Sequence, residues 1–206
     1  MATAPEGAGP LRLGLFGGTF DPPHNGHVVV ARDVADALAL DQVLWIPAGA
    51  PPHKDPACLS PGPLRLEMVQ AAARADPRFR VVDLELRREG RSYTVDTLRA
   101  LAADHPGARL FLLVGADQIR TFEHGWREPL EILRMATLVL MDREGEVAPD
   151  VAPDLPGMER ALHVAVGRVD ISSSDVRARV AEGKDVSLLV PAAVAAVVER
   201  ERLYRG

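Results

Sequence analysis

Cysteine is nearly missing from this 206-residue chain, which carries only Cys58. That excludes an internal disulfide and a cysteine-built zinc site, and no activating partner for the thiol is evident from spacing. Aromatic residues are also scarce, at 4%, so a core must be assembled mainly from Ala, Val and Leu. No apolar run approaches the roughly 18 residues of a membrane-spanning helix. The opening MATAPEGAGP has neither a basic start nor an apolar centre, which predicts a disordered tail over 1–10 and no signal peptide. A cytoplasmic protein with no membrane partner is the expectation. Positive charge is short as well: 24 Lys and Arg face 29 Asp and Glu, a formal net charge of −5. Proteins that grip nucleic acid over a broad face are usually basic, so none is expected as a partner. An acidic chain that binds small phosphates must instead gather its positive charge locally.

What is present fits a globular protein, with 47% hydrophobic and 26% charged residues. The length suits one domain over 11–206. Short apolar runs predict strands at Leu11–Phe16, Gln42–Ile46, Phe79–Val82, Arg109–Val114, Thr137–Met141 and Leu162–Val166. Helical periodicity falls at Gly26–Leu40, Leu64–Arg74, Val95–Ala103, Leu130–Met135, Ser174–Ala181 and Pro191–Arg200, with Pro191 suited to a first turn. Asp142–Gly157, rich in Pro, Asp and Glu, reads as a solvated loop. Strands alternating with helices predict an α/β fold, a Rossmann-like doubly wound, mostly parallel sheet with helices on both faces. Ligands in such folds sit beyond the carboxyl ends of the strands, where strand order reverses. Attention therefore goes to the loops after Phe16, Ile46 and Val114.

The first of these reads Gly17-Gly18-Thr19-Phe20-Asp21-Pro22-Pro23-His24-Asn25-Gly26-His27. Glycines let the backbone approach a ligand closely, and the N–H groups of the following helix point at the same space. His24 and His27 stand three apart at that helix start, so both rings can share a face. Two imidazoles beside a phosphate can donate to charge that builds during displacement. The loop lacks the Gly-Lys-Ser/Thr ending of a P-loop. No further His or Cys cluster has zinc-ligand spacing, so no protein-held metal is expected.

This segment resembles the signature of the HxGH nucleotidyltransferase superfamily, and within it the bacterial nicotinate-nucleotide adenylyltransferases. Pro51-Pro52-His53-Lys54, Arg65-Leu66-Glu67-Met68, Ser92-Tyr93-Thr94-Val95-Asp96-Thr97-Leu98, Gly115-Ala116-Asp117, Trp126, Ile171-Ser172-Ser173-Ser174-Asp175-Val176-Arg177 and Leu189-Val190-Pro191 extend the likeness from Leu13 to Tyr204. It departs at Ser174, where the family's Ser-Ser-Thr pattern has threonine, and a hydroxyl is kept.

The resemblance implies adenylyl transfer from ATP to nicotinate mononucleotide, releasing pyrophosphate, in NAD biosynthesis. It assigns His24 and His27 to the α-phosphate. Lys54, Ser173, Ser174 and Arg177 fall to the outgoing pyrophosphate, and Gly17, Gly18, Thr19 and Phe20 to the groove between the nucleotides. Tyr93 and Thr94 would hold the pyridine carboxylate, Asp117 the ribose, and Trp126 would stack on the ring. Mg²⁺ is expected to enter with ATP, held by phosphates and water. Each residue also has a plainer reading. Lys54 could be a solvated lysine, His53 a packing residue, one of the three serines an N-cap, and Asp117 a helix cap. Val95, Leu98, Leu101, Val194, Val197 and Val198 show helical spacing and read as core. The same chemistry on nicotinamide mononucleotide or phosphopantetheine stays open, as does a non-catalytic nucleotide sensor, and a tRNA-binding protein is the weakest reading. Oligomeric state, a homo-oligomer included, is not legible.

Overall fold

A computed structural model describes residues 9–51, 58–143, 155–167 and 169–205. Six parallel strands form one sheet: β1 Arg12–Gly18, β2 Gln42–Pro47, β3 Phe79–Val81, β4 Arg109–Gly115, β5 Ala136–Arg143 and β6 Leu162–Val166, in the order β3-β2-β1-β4-β5-β6. Strand order thus reverses between β1 and β4. The helices are α1 Asn25–Ala37, α2 Gly62–Ala73, α3 Leu84–Arg87, α4 Thr94–Asp104, α5 Ala116–Ile119, α6 Phe122–Gly125, α7 Pro129–Met135, α8 Ser173–Ala181 and α9 Ala192–Arg200.

The central strands are apolar on both sides because both sides are covered. Phe16 of β1, Val43 and Trp45 of β2, Phe111 and Leu113 of β4 and Val139 of β5 pack with α1, α2, α8 and α9. Their neighbours Leu13, Leu15, Leu44, Ile46, Leu110, Leu112, Leu138 and Leu140 point the other way, onto α4 to α7. The period of two along each strand sorts the side chains between two cores. Trp45 is wholly buried, and burying a side chain of that size is worth roughly 3 kcal/mol.

The expected fold class is therefore observed, and the sheet is wholly parallel. Element limits differ in detail. β1 runs on through both glycines, and β5 takes in Asp142 and Arg143, where a loop was expected. The rest of that loop lies outside the described residues, apart from the turn that leads into a 3-10 segment at Met158–Arg160. Pro191 is the cap before α9 and not its first residue. The short helices α3, α5 and α6 carry too few residues to show a period, which is why they were not expected. The tail falls outside the described residues over 1–8. Among the described residues no helix is long and apolar enough to cross a membrane.

Candidate active site

The loop after β1 is held from beneath by a side chain that the sequence reading passed over. Arg65 is only 3% exposed, and among the described residues its hydrogen-bond acceptors are backbone carbonyls. Its guanidinium donates to Thr19 (3.0 Å), Ala48 (2.6 Å), Gly49 (3.3 Å) and Ser60 (3.0 Å). One planar fork with five donors can bind several fixed acceptors at once, which a lysine cannot do. Arg65 thereby ties the glycine loop to the loop after β2 and to the entry of α2. A signal existed in the sequence. Arg65, Met68, Val69 and Ala72 share the buried stripe of α2, and an arginine in an apolar stripe demands an explanation.

Asp21 is a second organiser, 3% exposed. Its carboxylate accepts from the Tyr204 hydroxyl at 2.6 Å and the Ser60 N–H at 3.1 Å, while its carbonyl accepts from Arg177 at 2.7 Å. Burial, and then the bond to Asp21, push the Tyr204 pKa up, so the phenol stays a donor.

His24 caps α1, and its backbone N–H donates to His27 Nδ1 at 3.1 Å. An imidazole that accepts at Nδ1 while neutral carries its proton on Nε2, which makes His27 Nε2 a donor. The two rings lie against each other, tilted by 35° with centroids 3.7 Å apart. Desolvation lowers the His24 pKa from 6.5 to about 4, with Asp175 pulling the other way. His27 is lowered well below 6.5 by burial and then by His24. Both rings are neutral at pH 7. A Cβ on Gly26 would stand 3.0 Å from His24 Nδ1, so the residue between the histidines has to be small. Asn25 ties this turn to the far end of the chain, through bonds to the carbonyls of Leu189 (2.8 Å) and Leu188 (2.9 Å).

Phe20 differs from expectation. It has φ +50° and its ring is 2% exposed, packed on Phe16, Trp45 and, edge-on at 5.1 Å, His27. A ring in the core cannot line a groove, so any part Phe20 takes there belongs to its backbone. The left-handed backbone costs on the order of 1–3 kcal/mol, and burial of the ring offsets it.

Two cavities flank this loop. The larger, about 420 Å³, is lined by Gly17, Gly18, Thr19, Tyr93, Thr94 and Trp126, with Glu85, Ser92, Thr97 and Arg127 among its other walls. A Cβ on Gly17 would meet nothing within 4 Å, so this wall of the cavity is open. The smaller, about 290 Å³, is lined by Thr19, Asp21, Cys58, Leu59, Ser173, Ser174 and Arg177. Thr19 belongs to both.

At the edge of the smaller cavity, which Ser173 and Ser174 line, the three serines divide their work. Ser172 is the N-cap of α8, accepting from Asp175 N–H at 3.1 Å, while Asp175 accepts from its N–H and hydroxyl. Ser173 spends its hydroxyl proton on the Pro22 carbonyl at 2.9 Å. The N–H groups of Ser173 and Ser174, in the first turn of α8, have no acceptor within the helix. Arg177 reaches Ser174 Oγ at 3.4 Å beside them. The donors there are backbone N–H groups, one hydroxyl and a guanidinium, a set suited to phosphate oxygens.

In the larger cavity Trp126 is half-buried against Phe122, with centroids 5.2 Å apart. Tyr93 caps α4 and Thr94 opens it. Behind them Glu85 is buried and accepts from Thr97 Oγ1 at 2.6 Å. Burial pushes the Glu85 pKa up, and the hydroxyls of Thr97 and Ser92 and then Arg88 oppose it. Ser92 Oγ accepts from Gly49 N–H at 3.1 Å, and Gly49 packs so closely on the Glu85 carbonyl that no Cβ fits. Hydrogen bonds thus run unbroken from Thr19 through Arg65, Gly49 and Ser92 to the start of α4.

The remaining expected residues stand as follows. His24 and His27 line neither cavity and sit at the head of α1. Asp117 lies in the first turn of α5, after the cap residue Gly115. Lys54 and His53 lie outside the described residues. The six valines and leucines read as core are all buried.

A parallel sheet of order 3-2-1-4-5-6, with two donor-bearing cavities and paired histidines beside its switch point, is an arrangement suited to binding nucleotides. The cytidylyltransferase-like family model matches residues 15–179. A protein of Dehalococcoides mccartyi, named probable nicotinate-nucleotide adenylyltransferase, is 42% identical over 94% of this chain and 97% of its own. A Shouchella clausii protein of the same name is 42% identical over 94% and 96%. Among solved structures, a Plasmodium falciparum nicotinic acid mononucleotide adenylyltransferase complexed with NaAD superposes with TM-score 0.72 at 16% identity, over 94% of this chain and 97% of that one. This last likeness speaks to the fold. The chain belongs to the cytidylyltransferase-like family and, within it, to the nicotinate-nucleotide adenylyltransferases.

Proposed function

We propose that the protein joins the adenylyl group of ATP to the 5′-phosphate of nicotinate mononucleotide, giving nicotinate adenine dinucleotide and pyrophosphate in NAD biosynthesis. The observation that carries this reading is the pair of cavities meeting at Thr19, one walled by an indole and hydroxyls, the other by phosphate donors. ATP, as its Mg²⁺ complex, would lay its β- and γ-phosphates against the N–H groups of Ser173 and Ser174 and against Arg177, with Lys54 as a further partner. The mononucleotide would enter the larger cavity, its ring on Trp126, its carboxylate toward Thr94 and the N–H groups nearby, its ribose toward Asp117.

The nucleophile is a phosphate already ionised at neutral pH, so attack on the α-phosphorus needs no general base. The chain's task is positioning and charge stabilisation. His27 Nε2–H and the neutral His24 would donate to the α-phosphate oxygens as charge shifts toward pyrophosphate. Neutral donors suit this role, since they hold the phosphate without binding the ground state as tightly as two cations would. The Arg65 chain keeps Thr19 and the loop after β2 in fixed relation, so that both phosphates lie in line. Soluble substrates of this kind fit a cytoplasmic enzyme.

The nearest competing reading is the same transfer to nicotinamide mononucleotide. Comparing kcat/KM for the two mononucleotides at saturating ATP decides between them. The expected result is a preference for nicotinate mononucleotide of about 10²-fold, because a carboxylate offers only acceptors to a donor-lined pocket and each mispaired amide contact costs about 1–3 kcal/mol. Equal values would remove the nicotinate assignment. No pyrophosphate release with either would remove the transfer.

A further inference from the structure

Arg127 lines the larger cavity beside Trp126 and Tyr93, and its side chain is 52% exposed. Its guanidinium lies over the Tyr93 ring at 5.0 Å. Two carboxylates stand nearby, but another arginine has the better claim on both. Arg99 holds Glu128 at 2.6 Å and Asp96 at 3.3 Å. Arg127 meets Asp96 at 3.6 Å and Glu128 at 3.5 Å, beyond hydrogen-bond length. The cluster thus contains two acids and two arginines, and Arg127 is the less committed cation, at the wall where a pyridine ring would lie.

We propose that Arg127 is a specificity-determining residue whose guanidinium meets the carboxylate of the bound pyridine mononucleotide. This rests on the adenylyl-transfer reading. The ring nitrogen of either mononucleotide is quaternary, so the ring is cationic. With a carboxylate the pyridine unit is a zwitterion whose negative end pairs with Arg127. With a carboxamide it carries an uncompensated positive charge, which Arg127 repels. The faces of Trp126 and Tyr93 attract either ring and do not choose between substituents. Discrimination by hydrogen-bond pattern at Thr94 and by charge at Arg127 are separate effects.

The test compares wild type with Arg127→Gln and Arg127→Lys on both mononucleotides. Arg127 is exposed, so the fold should survive either change, and thermal melting checks that. In Arg127→Gln, kcat/KM for nicotinate mononucleotide should fall about tenfold, the scale of one hydrogen bond to a charged group. The value for nicotinamide mononucleotide should not fall, and should rise by up to about twofold as the screened repulsion at this exposed site is removed. Arg127→Lys should recover part of the loss. Quenching of tryptophan fluorescence without ATP should show the same split in Kd, and raising salt should narrow the wild-type preference but not that of Arg127→Gln. Equal losses on both mononucleotides would mean contact with the shared phosphate and overturn the proposal, as would unchanged preference in Arg127→Gln. Wild type that binds neither mononucleotide sinks the substrate reading as well, whereas wild type that prefers the acid while Arg127→Gln does too, undiminished, sinks only this inference.

Discussion

The two ends of the site are built differently. At the phosphate end, His24 and Asp21 are buried, the His27 ring packs between Phe20 and His24, and Arg177 is already bonded to the Asp21 carbonyl. At the pyridine end, Trp126 is half-buried, Arg127 is exposed, and Glu128 at the head of α7 is tied to α4 and to Arg127 by surface ion pairs. Such exposed pairs are worth about 0–1 kcal/mol each. Catalysis needs donors held where charge develops, with nothing left to reorganise. Recognition of a flat ring tolerates adjustment. On the proposed reading, the rigid end would carry the chemistry and the softer end the choice of substrate.

That contrast can be broken most sharply at His27. His27→Ala should lower kcat by about 10²–10³-fold while leaving ATP affinity little changed, the scale for one preorganised donor. Pyrophosphate release and ATP titration together measure this, and a variant within a few-fold of wild type would take the ring away from the α-phosphate. At the pyridine end Thr94→Ala should narrow the preference between the two mononucleotides by about tenfold. Trp126→Ala should raise KM for both alike, by about tenfold, leaving the ratio intact. A Trp126 variant that changes the ratio would merge the roles of ring and hydroxyl.

Arg177→Ala comes next, with KM for ATP rising about tenfold through loss of a charge-assisted contact. Lys54→Ala should act in the same direction and cost less, since an ammonium cannot make the forked contact. If neither variant alters ATP kinetics, the smaller cavity does not hold the triphosphate.

The smallest effect expected is on stability against pH. The His24 pKa lies near 4 in the fold against an ordinary 6.5. A depressed histidine favours the fold while neutral, so its contribution is complete above pH 6.5 and is lost as pH falls toward 4. Wild type should therefore lose stability more steeply across that interval than His24→Asn, by up to about 1.4 kcal/mol per pH unit. Parallel denaturation curves for the two proteins would show that the ring is not desolvated.

Much of this was legible in the residue order, and the reasons are local. Uninterrupted apolar runs could only be strands covered on both faces. The three-residue step from His24 to His27 at a helix start needs no tertiary knowledge. The Ser-Ser-Ser-Asp run announces a capped helix that can receive an anion. Tertiary packing settled what depends on distant partners. Phe20 follows two glycines in the loop, yet the core beneath, with Phe16 and Trp45, claims its ring. Ser172 takes the cap because Pro22, remote in sequence, claims the hydroxyl of Ser173. Arg65 becomes the brace of three loops because four carbonyls converge on it, and carbonyls leave no mark in a sequence. Arg127 is the less committed cation only because Arg99, a turn into another helix, holds the same two acids more closely. Periodicity and capping are set by neighbours a few positions away, whereas the competition of several groups for one partner is settled only once the chain has folded.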